Sequence, residues 1–379
     1  MDFPPLPPGL VRPALDAVDP YEPGRPIEAV RLDTGIEEVV KLASNEGPFA
    51  PLPGAQQAIA DSAAGLRLYP DPGCWALRDA IERRILVPAD RILPGNGVDS
   101  LIKLICLATI DPGDQLVMGW PGFPSWRQGA LMMGGEVVGV PLRPDGANDI
   151  EAMLAAIGPR TKLVVIVSPN NPTGAAVSND ALESFLDRVP GDVLTILDEA
   201  YFEYLPPGAH DGVEFMRDGR ALAVTRTFSK VYGLAGLRVG YLVATPELLA
   251  AIARVRNVFD VSAVAQAAAV ATLREADAHL PERVALNAAE RVRVAEGLQA
   301  LGLAPLPSDA NFLFVDMASP QRAIGCFDAL LRHGVIVRPA RGFGAPDAIR
   351  VTIGWPVEND RFLRALQDVL PSLSDQAAG

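Results

Sequence analysis

Between Arg226 and Arg238 the chain reads Arg-Thr-Phe-Ser-Lys-Val-Tyr-Gly-Leu-Ala-Gly-Leu-Arg, which sets one lysine, Lys230, among glycines and hydroxyls with an arginine eight residues on. A lysine amine becomes a nucleophile toward an aldehyde when it is desolvated or flanked by other cations, and lysines of this kind anchor pyridoxal phosphate (PLP). Thr227, Ser229 and Arg238 then offer the hydroxyls and the charge that a phosphate needs. The plainer reading of the same residues is a glycine-rich turn carrying a solvated lysine. What separates the two is whether other polar residues converge on Lys230.

The elements that would position it suggest that they do. The β-branched run Lys162 to Val167 ends at Ser168-Pro-Asn-Asn-Pro-Thr-Gly174, the run Val193 to Leu197 ends at Asp198-Glu-Ala-Tyr201, and Ala221 to Thr225 ends at the lysine stretch. Apolar strands alternating with helices predict an α/β fold with a parallel sheet, whose ligands gather beyond the carboxyl ends of the strands. Asn171, Asp198 and Lys230 all lie just past such ends. An Asp taken singly is most simply a helix cap or a surface acid. Asp198 follows an all-apolar strand and precedes Ala-Tyr, so it reads as a buried acid with a cationic partner.

Two weaker signals lie upstream. Pro94-Gly-Asn-Gly-Val-Asp99 leads into an apolar helix predicted over Ser100 to Ile110. Glycines before a helix let backbone N–H groups face an anion, although most such turns simply start helices. The strand predicted at Gln115 to Gly119 is followed by Trp120-Pro-Gly-Phe-Pro-Ser-Trp126, whose tryptophans are either core or a face for a planar ring.

The remaining pattern predicts a proline-rich N-terminal arm, helices over Pro53 to Leu66 and Trp75 to Leu86 with Tyr69 on the loop between them, and strand-like Val137 to Pro141. Helices are expected near Ile150 to Ile157 and Ala181 to Val189. Beyond Tyr241 to Ala244 come an alanine-rich helix over Ala263 to Arg274 and a separate mixed-charge helix from about Glu282 to Leu301, with a hinge placed near them. Strands at Asn311 to Val315, Val335 to Val337 and Ile349 to Ile353 suit a smaller α/β domain, in which Arg338 and Arg350 flank Arg341-Gly-Phe-Gly344. The expected division is residues 1–48 as arm and part of the small domain, 49–261 as the large domain and 262–379 as the small C-terminal domain.

Composition narrows the function classes. A chain of 379 residues exceeds what one core usually serves, in keeping with two domains. With 33 basic against 46 acidic residues the formal net charge is −13, which argues against nucleic acid as a partner and requires any small anion to be met by locally placed arginines. Cys74, Cys106 and Cys326 form no C-x-x-C pair and the three histidines are scattered, so neither a disulfide framework nor a metal cluster is expected. No apolar run is long enough to span a bilayer and the first residues lack a signal-peptide pattern, so a soluble cytoplasmic protein is expected.

Taken together, the motifs resemble the fold-type I PLP-dependent aminotransferases of the aspartate aminotransferase superfamily. Within it the chain is most similar to the histidinol-phosphate aminotransferase family. The first resemblance is carried by Ser168 to Gly174, Asp198 to Tyr201, the Ser-Lys stretch and Arg350, in that order along the chain. The second rests on Pro20-Tyr-Glu-Pro-Gly24, Leu68-Tyr-Pro-Asp71, Val258-Phe-Asp-Val-Ser262, Ser308-Asp-Ala-Asn-Phe312 and Val337-Arg-Pro339.

The resemblance implies an aspartate aminotransferase-like fold and a role for each residue. Lys230 would hold PLP through its amine and shuttle the proton; Asp198 would keep the pyridine nitrogen protonated; Asn171 and Tyr201 would donate to the ring O3′. Trp126 would stack on the ring, standing where that family usually has tyrosine. The phosphate would be held by backbone N–H groups of Val98 and Asp99, by Thr227, Ser229 and Arg238, and by Tyr69 of a neighbouring subunit in a homodimer. Arg350, helped by Arg338 and Tyr21, would meet the substrate's anionic group. The activity implied is a ping-pong exchange of an amino donor, histidinol phosphate, with 2-oxoglutarate through pyridoxamine phosphate. An aromatic amino-acid aminotransferase and a PLP-dependent decarboxylase or lyase of a phosphorylated amino acid stand as alternatives. A PLP-sensing domain is a poorer fit, since the chain has no basic arm or added DNA-binding segment.

Overall fold

A computed structural model describes residues 9–20, 23–216 and 220–374. At its centre is a seven-stranded sheet in the spatial order Ile92–Gly95, Gly240–Val243, Leu222–Thr227, Leu194–Asp198, Thr161–Val167, Gln115–Trp120, Glu136–Pro141. The last five are mutually parallel, and Gly240–Val243 runs antiparallel to both of its neighbours. The central strands are apolar on both sides because helices cover both faces, as a parallel sheet requires. Leu163, Val164, Val165 and Ile166 are all buried, two in one core cluster and two in the other.

Two elements of this sheet depart from the sequence reading. The stretch read as a glycine-rich loop begins as a strand, Ile92–Gly95. Pro94 hid it, and is tolerated there because the strand lies at the sheet edge, where a missing N–H is not needed by a second neighbour. The second is Gly240–Val243, a strand to which the sequence reading assigned no element; it pairs antiparallel with Leu222–Thr227, and periodicity does not report that direction.

A three-stranded antiparallel sheet, Arg338–Pro339, Ala348–Thr352 and Phe312–Asp316, forms the second layer system. It packs with helices Pro320–Arg332 and Pro356–Ser374 around a core of its own. The N-terminal segment joins this part of the chain: Val40–Lys41 pairs in parallel with Val335–Ile336.

Residues Ala263–Ala300 form one continuous helix, where two helices and a hinge were expected. Its Ser262 cap accepts a bond from the Ala265 N–H, and its early turns bury Ala265, Ala268 and Ala269 in the large core. Val294 and Leu298 at its far end belong to the core beside the three-stranded sheet. Pro281 removes one backbone donor inside the helix, yet neighbouring Leu280 is buried, and packing carries the helix past it.

Candidate active site

Strand ends create the site. Asp198 closes the strand Leu194–Asp198, Lys230 follows the strand Leu222–Thr227 by three residues, and Asn171 follows Thr161–Val167 by four. All three face one cavity of about 330 Å³. Their alignment is held from behind by a buried ion pair: Arg226 donates from Nε and Nη2 to Glu199 Oε2 at 2.8 and 2.6 Å and from Nη2 to Asp211 Oδ1 at 2.6 Å. Glu199 adjoins Asp198 in the chain and Arg226 lies four residues before Lys230. One buried pair thus locks the two strand ends that carry the acid and the amine.

Burial raises Asp198 from the ordinary carboxylate range to about 6, against the opposing pull of hydrogen bonds from Trp126 and the Ala200 N–H. The Trp126 indole Nε1–H donates to Oδ2 at 2.8 Å, and the Ala200 N–H reaches Oδ1 at 3.3 Å. Among the described residues no salt bridge reaches Asp198. A buried acid surrounded by N–H donors, without a cation, fits a ligand that brings a cationic N–H of its own.

Lys230 sits across the same cavity with its Nζ donating to the Ser44 carbonyl at 3.3 Å and 5.6 Å from the Tyr201 ring centre. Burial, and next the positive charge of Arg350, lower its pKa to about 8. A buried amine partly neutral near physiological pH is suited to attack a carbonyl.

The expected phosphate side is assembled as well. Gly97 caps the helix Val98–Thr109 with φ +73°, and a side chain there would run into the Arg238 guanidinium. Thr227 Oγ1 and Ser229 Oγ lie 3.0 Å apart, while Arg238 Nη2 lies 3.4 Å from Asp99 Oδ2. Thr227, Ser229, Arg238 and the first turn of that helix, Val98 and Asp99, line the cavity. Hydroxyls, a guanidinium and a helix N-terminus around one space form a donor set suited to a phosphate.

Trp126 requires a correction. It is fully buried among helix and sheet side chains, and no face of it reaches the cavity, so it cannot stack on a bound ring. It acts through its edge, on Asp198. The aromatic side chain that lines the cavity is Phe123, three residues earlier. Pro124 starts the helix Pro124–Met132 and turns residues 123 and 126 toward different surroundings.

Asn171 and Tyr201 both line the cavity. The Asn171 Oδ1 accepts from Arg350 Nη1 at 2.5 Å, and Arg350 Nη2 donates to the Ala43 carbonyl at 2.7 Å. Arg338 is the register partner of Arg350 on the neighbouring strand, so the two side chains share one face of the sheet. Arg338 opens on a second cavity, of about 680 Å³, bordered by Trp120, Arg127, Arg341 and the arm residues Asp19 and Pro20. Tyr21 lies outside the described residues. Tyr69 is exposed, does not line the cavity of its own chain, and stacks on Phe259 with ring centres 4.4 Å apart.

Residues overlooked in the sequence complete the wall. Asn45, at φ +54° and almost fully buried, donates from Nδ2 to the Tyr201 hydroxyl at 2.8 Å and is held by Thr352 and by Asn311 Nδ2. Its signal was the Ser44-Asn-Glu-Gly-Pro48 turn, which lies far from Tyr201 in sequence. Phe123 was hidden between two tryptophans.

The comparisons with known proteins agree with this geometry. Residues 37–366 match the model of the family described as aminotransferase class I and II. The chain belongs to that family. It is 42% identical over 361 residues to a histidinol-phosphate aminotransferase of Moorella thermoacetica, covering 95% of this chain and 92% of the relative. It is 41% identical over 368 residues to histidinol-phosphate aminotransferase 2 of Pseudomonas aeruginosa, covering 95% and 98%. Among solved structures, the histidinol-phosphate aminotransferase of Sinorhizobium meliloti in complex with pyridoxal-5'-phosphate superposes with a TM-score of 0.87 at 32% identity, over 96% of this chain and 98% of that one. Aspartate aminotransferase of Thermus thermophilus with maleate gives 0.82 at 25% identity, over 95% and 99%. The aspartate aminotransferase-like fold is therefore established. Among the described residues no helix is long and apolar enough to cross a membrane.

Proposed function

We propose that this protein is a PLP-dependent aminotransferase that transfers the amino group of histidinol phosphate to 2-oxoglutarate. The observation that carries the reading is the placement of a buried, cation-lacking Asp198 and a half-buried Lys230 on one cavity that Arg350 also lines. Relatives named histidinol-phosphate aminotransferase, near 40% identical over nearly the whole chain, support the substrate.

When bound, PLP supplies an aldehyde that accepts amines and a ring that draws electron density from the adjoining carbon. Lys230 would hold the cofactor through its amine and, when that amine is free, carry the proton to and from the reacting carbon. Asp198 would keep the ring nitrogen protonated, with Trp126 and the Ala200 N–H favouring its carboxylate form. Asn171 and Tyr201 would donate to the ring oxygen, with Asn45 fixing Tyr201, and Phe123 would offer an aromatic wall. Val98, Asp99, Thr227, Ser229 and Arg238 would hold the cofactor phosphate. Arg350 and Arg338 take the anionic end of each substrate in turn: the phosphate of the donor, then a carboxylate of the 2-oxo acid. Two arginines paired across neighbouring strands favour a phosphorylated donor over an aromatic amino acid.

The assembly belongs to the same proposal. Leu66, Leu68, Tyr69, Trp75 and Val258 are each left exposed, and this segment is expected to meet a second copy and to carry Tyr69 to its phosphate site. Sedimentation of the purified protein as a monomer at micromolar concentration would count against this.

The decisive experiment follows the visible absorption of the loaded enzyme as single amines are added. Histidinol phosphate should convert the cofactor fully, 2-oxoglutarate should restore it, and phenylalanine should act at least tenfold less efficiently in kcat/KM. Equal or better use of phenylalanine overturns the substrate assignment. Release of carbon dioxide with no 2-oxo acid consumed overturns transamination.

A further inference from the structure

Arg338 and Arg350 pose a physical problem. They are cross-strand partners, both almost fully buried, and like charges directly opposite on one sheet face repel. Each must nevertheless keep a fixed direction if two substrates of different shape are to meet the same pair. Backbone and amide acceptors account for part of Arg350, through Asn171 and Ala43.

One ring lies against both arginines. Phe343, fully buried, lies with its centre 4.9 Å from the Arg350 guanidinium carbon and 5.6 Å from that of Arg338. A ring face attracts a cation through its quadrupole, carries no charge to neutralise it, and uses none of its N–H donors. A carboxylate in the same place would hold the arginines and also compete with any anionic ligand.

Phe343 itself is set by contact with a distant segment. It closes the short 3-10 turn Arg341–Phe343, and its carbonyl accepts from the Gly122 N–H at 3.1 Å. The next residue, Gly344, is at φ +94°, and any side chain there would collide with the Trp120 indole. Trp120 and Gly122 belong to the loop that also carries Phe123, the aromatic on the wall of the main cavity. The seam therefore joins the three-stranded sheet to the loop beside the proposed cofactor.

We propose that Phe343 is the positioning residue that holds Arg338 and Arg350 as one anion clamp, seated by its contact with the Trp120 to Gly122 segment. This rests on the reading of the two arginines as substrate-recognising groups and names what fixes them. Phe343 touches neither cavity, so its effect is on affinity for anions and not on the proton transfers at Lys230.

The test uses the PLP-loaded enzyme and its Phe343→Leu variant, with Phe343→Met as a second variant that keeps more of the buried volume. Affinity for inorganic phosphate and for 2-oxoglutarate is measured by calorimetry, and KM and kcat for both substrates by steady-state assay. Loss of the ring should weaken phosphate and 2-oxoglutarate roughly tenfold or more and raise both KM values similarly. kcat should hold within about threefold, and the visible spectrum of the bound cofactor should not shift. Unchanged phosphate affinity and KM in a folded variant overturns the proposal, as does a fall in kcat as large as the rise in KM. If wild type binds phosphate but fails to turn over histidinol phosphate, the proposed substrate is wrong, and the phosphate measurement on Phe343→Leu still decides the role of Phe343.

Discussion

The two ends of the active site are built in different ways. The end holding Lys230 and Asp198 comes from adjacent parallel strands, one carrying Asp198 as its last residue and the other Lys230 three residues beyond its end, and a single buried pair, Arg226 with Glu199, locks the strand ends together. The end holding Arg338 and Arg350 is assembled from residues 43–45, 120–123, 171, 312 and 338–350, which meet only in three dimensions. The first arrangement suits chemistry that must be the same for every substrate of a class. The second suits recognition, since several independent segments can each be altered without moving the reacting groups.

If that division holds, variants at the first end should lower kcat, and those at the second should raise KM. The largest effect is expected from Lys230→Ala, which removes both the cofactor tether and the proton carrier. kcat should fall by about 10³-fold or more, and the absorption due to the lysine-bound cofactor should vanish. A Lys230→Ala protein retaining wild-type turnover would refute the assignment. Asp198→Asn comes next: an amide cannot hold a ring nitrogen in its protonated state, so kcat should drop roughly 10²- to 10³-fold while KM stays within a few-fold. A predominant KM effect would instead place Asp198 at the recognition end.

Arg350→Lys tests the other end. An ammonium lacks the planar fork that meets Asn171, Ala43 and a ligand together, so KM for both substrates should rise about tenfold to a hundredfold with a smaller change in kcat. The reverse pattern would show that the arginine serves the chemical step.

Trp126→Phe should have the smallest effect, and one confined to acid pH. In its proposed role Asp198 works as a carboxylate; without a bound cation its pKa lies near 6, so loading of the cofactor should weaken as pH falls through that range. The indole N–H favours the charged form. Removing it raises the pKa, and the acid limb of the pH profile should move upward by roughly one unit. Near pH 8 the variant should be within about twofold of wild type. An unshifted acid limb would mean that the Trp126 to Asp198 bond does not govern the protonation of the acid.

The sequence made the first end legible for a physical reason. A buried parallel strand needs an unbroken apolar run, so the polar residue that ends it stands out, as Asn171, Asp198 and Lys230 do. Glycine at the start of Val98–Thr109 is legible on the same terms, because an αL or otherwise strained backbone demands it. Trp126 was identified as important but given the wrong contact: residue type does not say whether an indole offers its face or its N–H. Asn45 and Phe343 carried no signal of their own in the sequence, since their partners, Tyr201 and the paired arginines, lie far away in the chain or across a strand pair.

By itself, then, the sequence determined the α/β class and the family and singled out Asp198 and Lys230 as the proposed acid and amine, all of which depend on local patterns of burial and backbone conformation. Tertiary structure alone decided which aromatic side chain borders the ring site, how Asp198 is hydrogen-bonded, and that Arg338 and Arg350 stand side by side over one phenylalanine. Those facts depend on strand register and on side-chain direction between segments hundreds of residues apart, and no short-range pattern carries them.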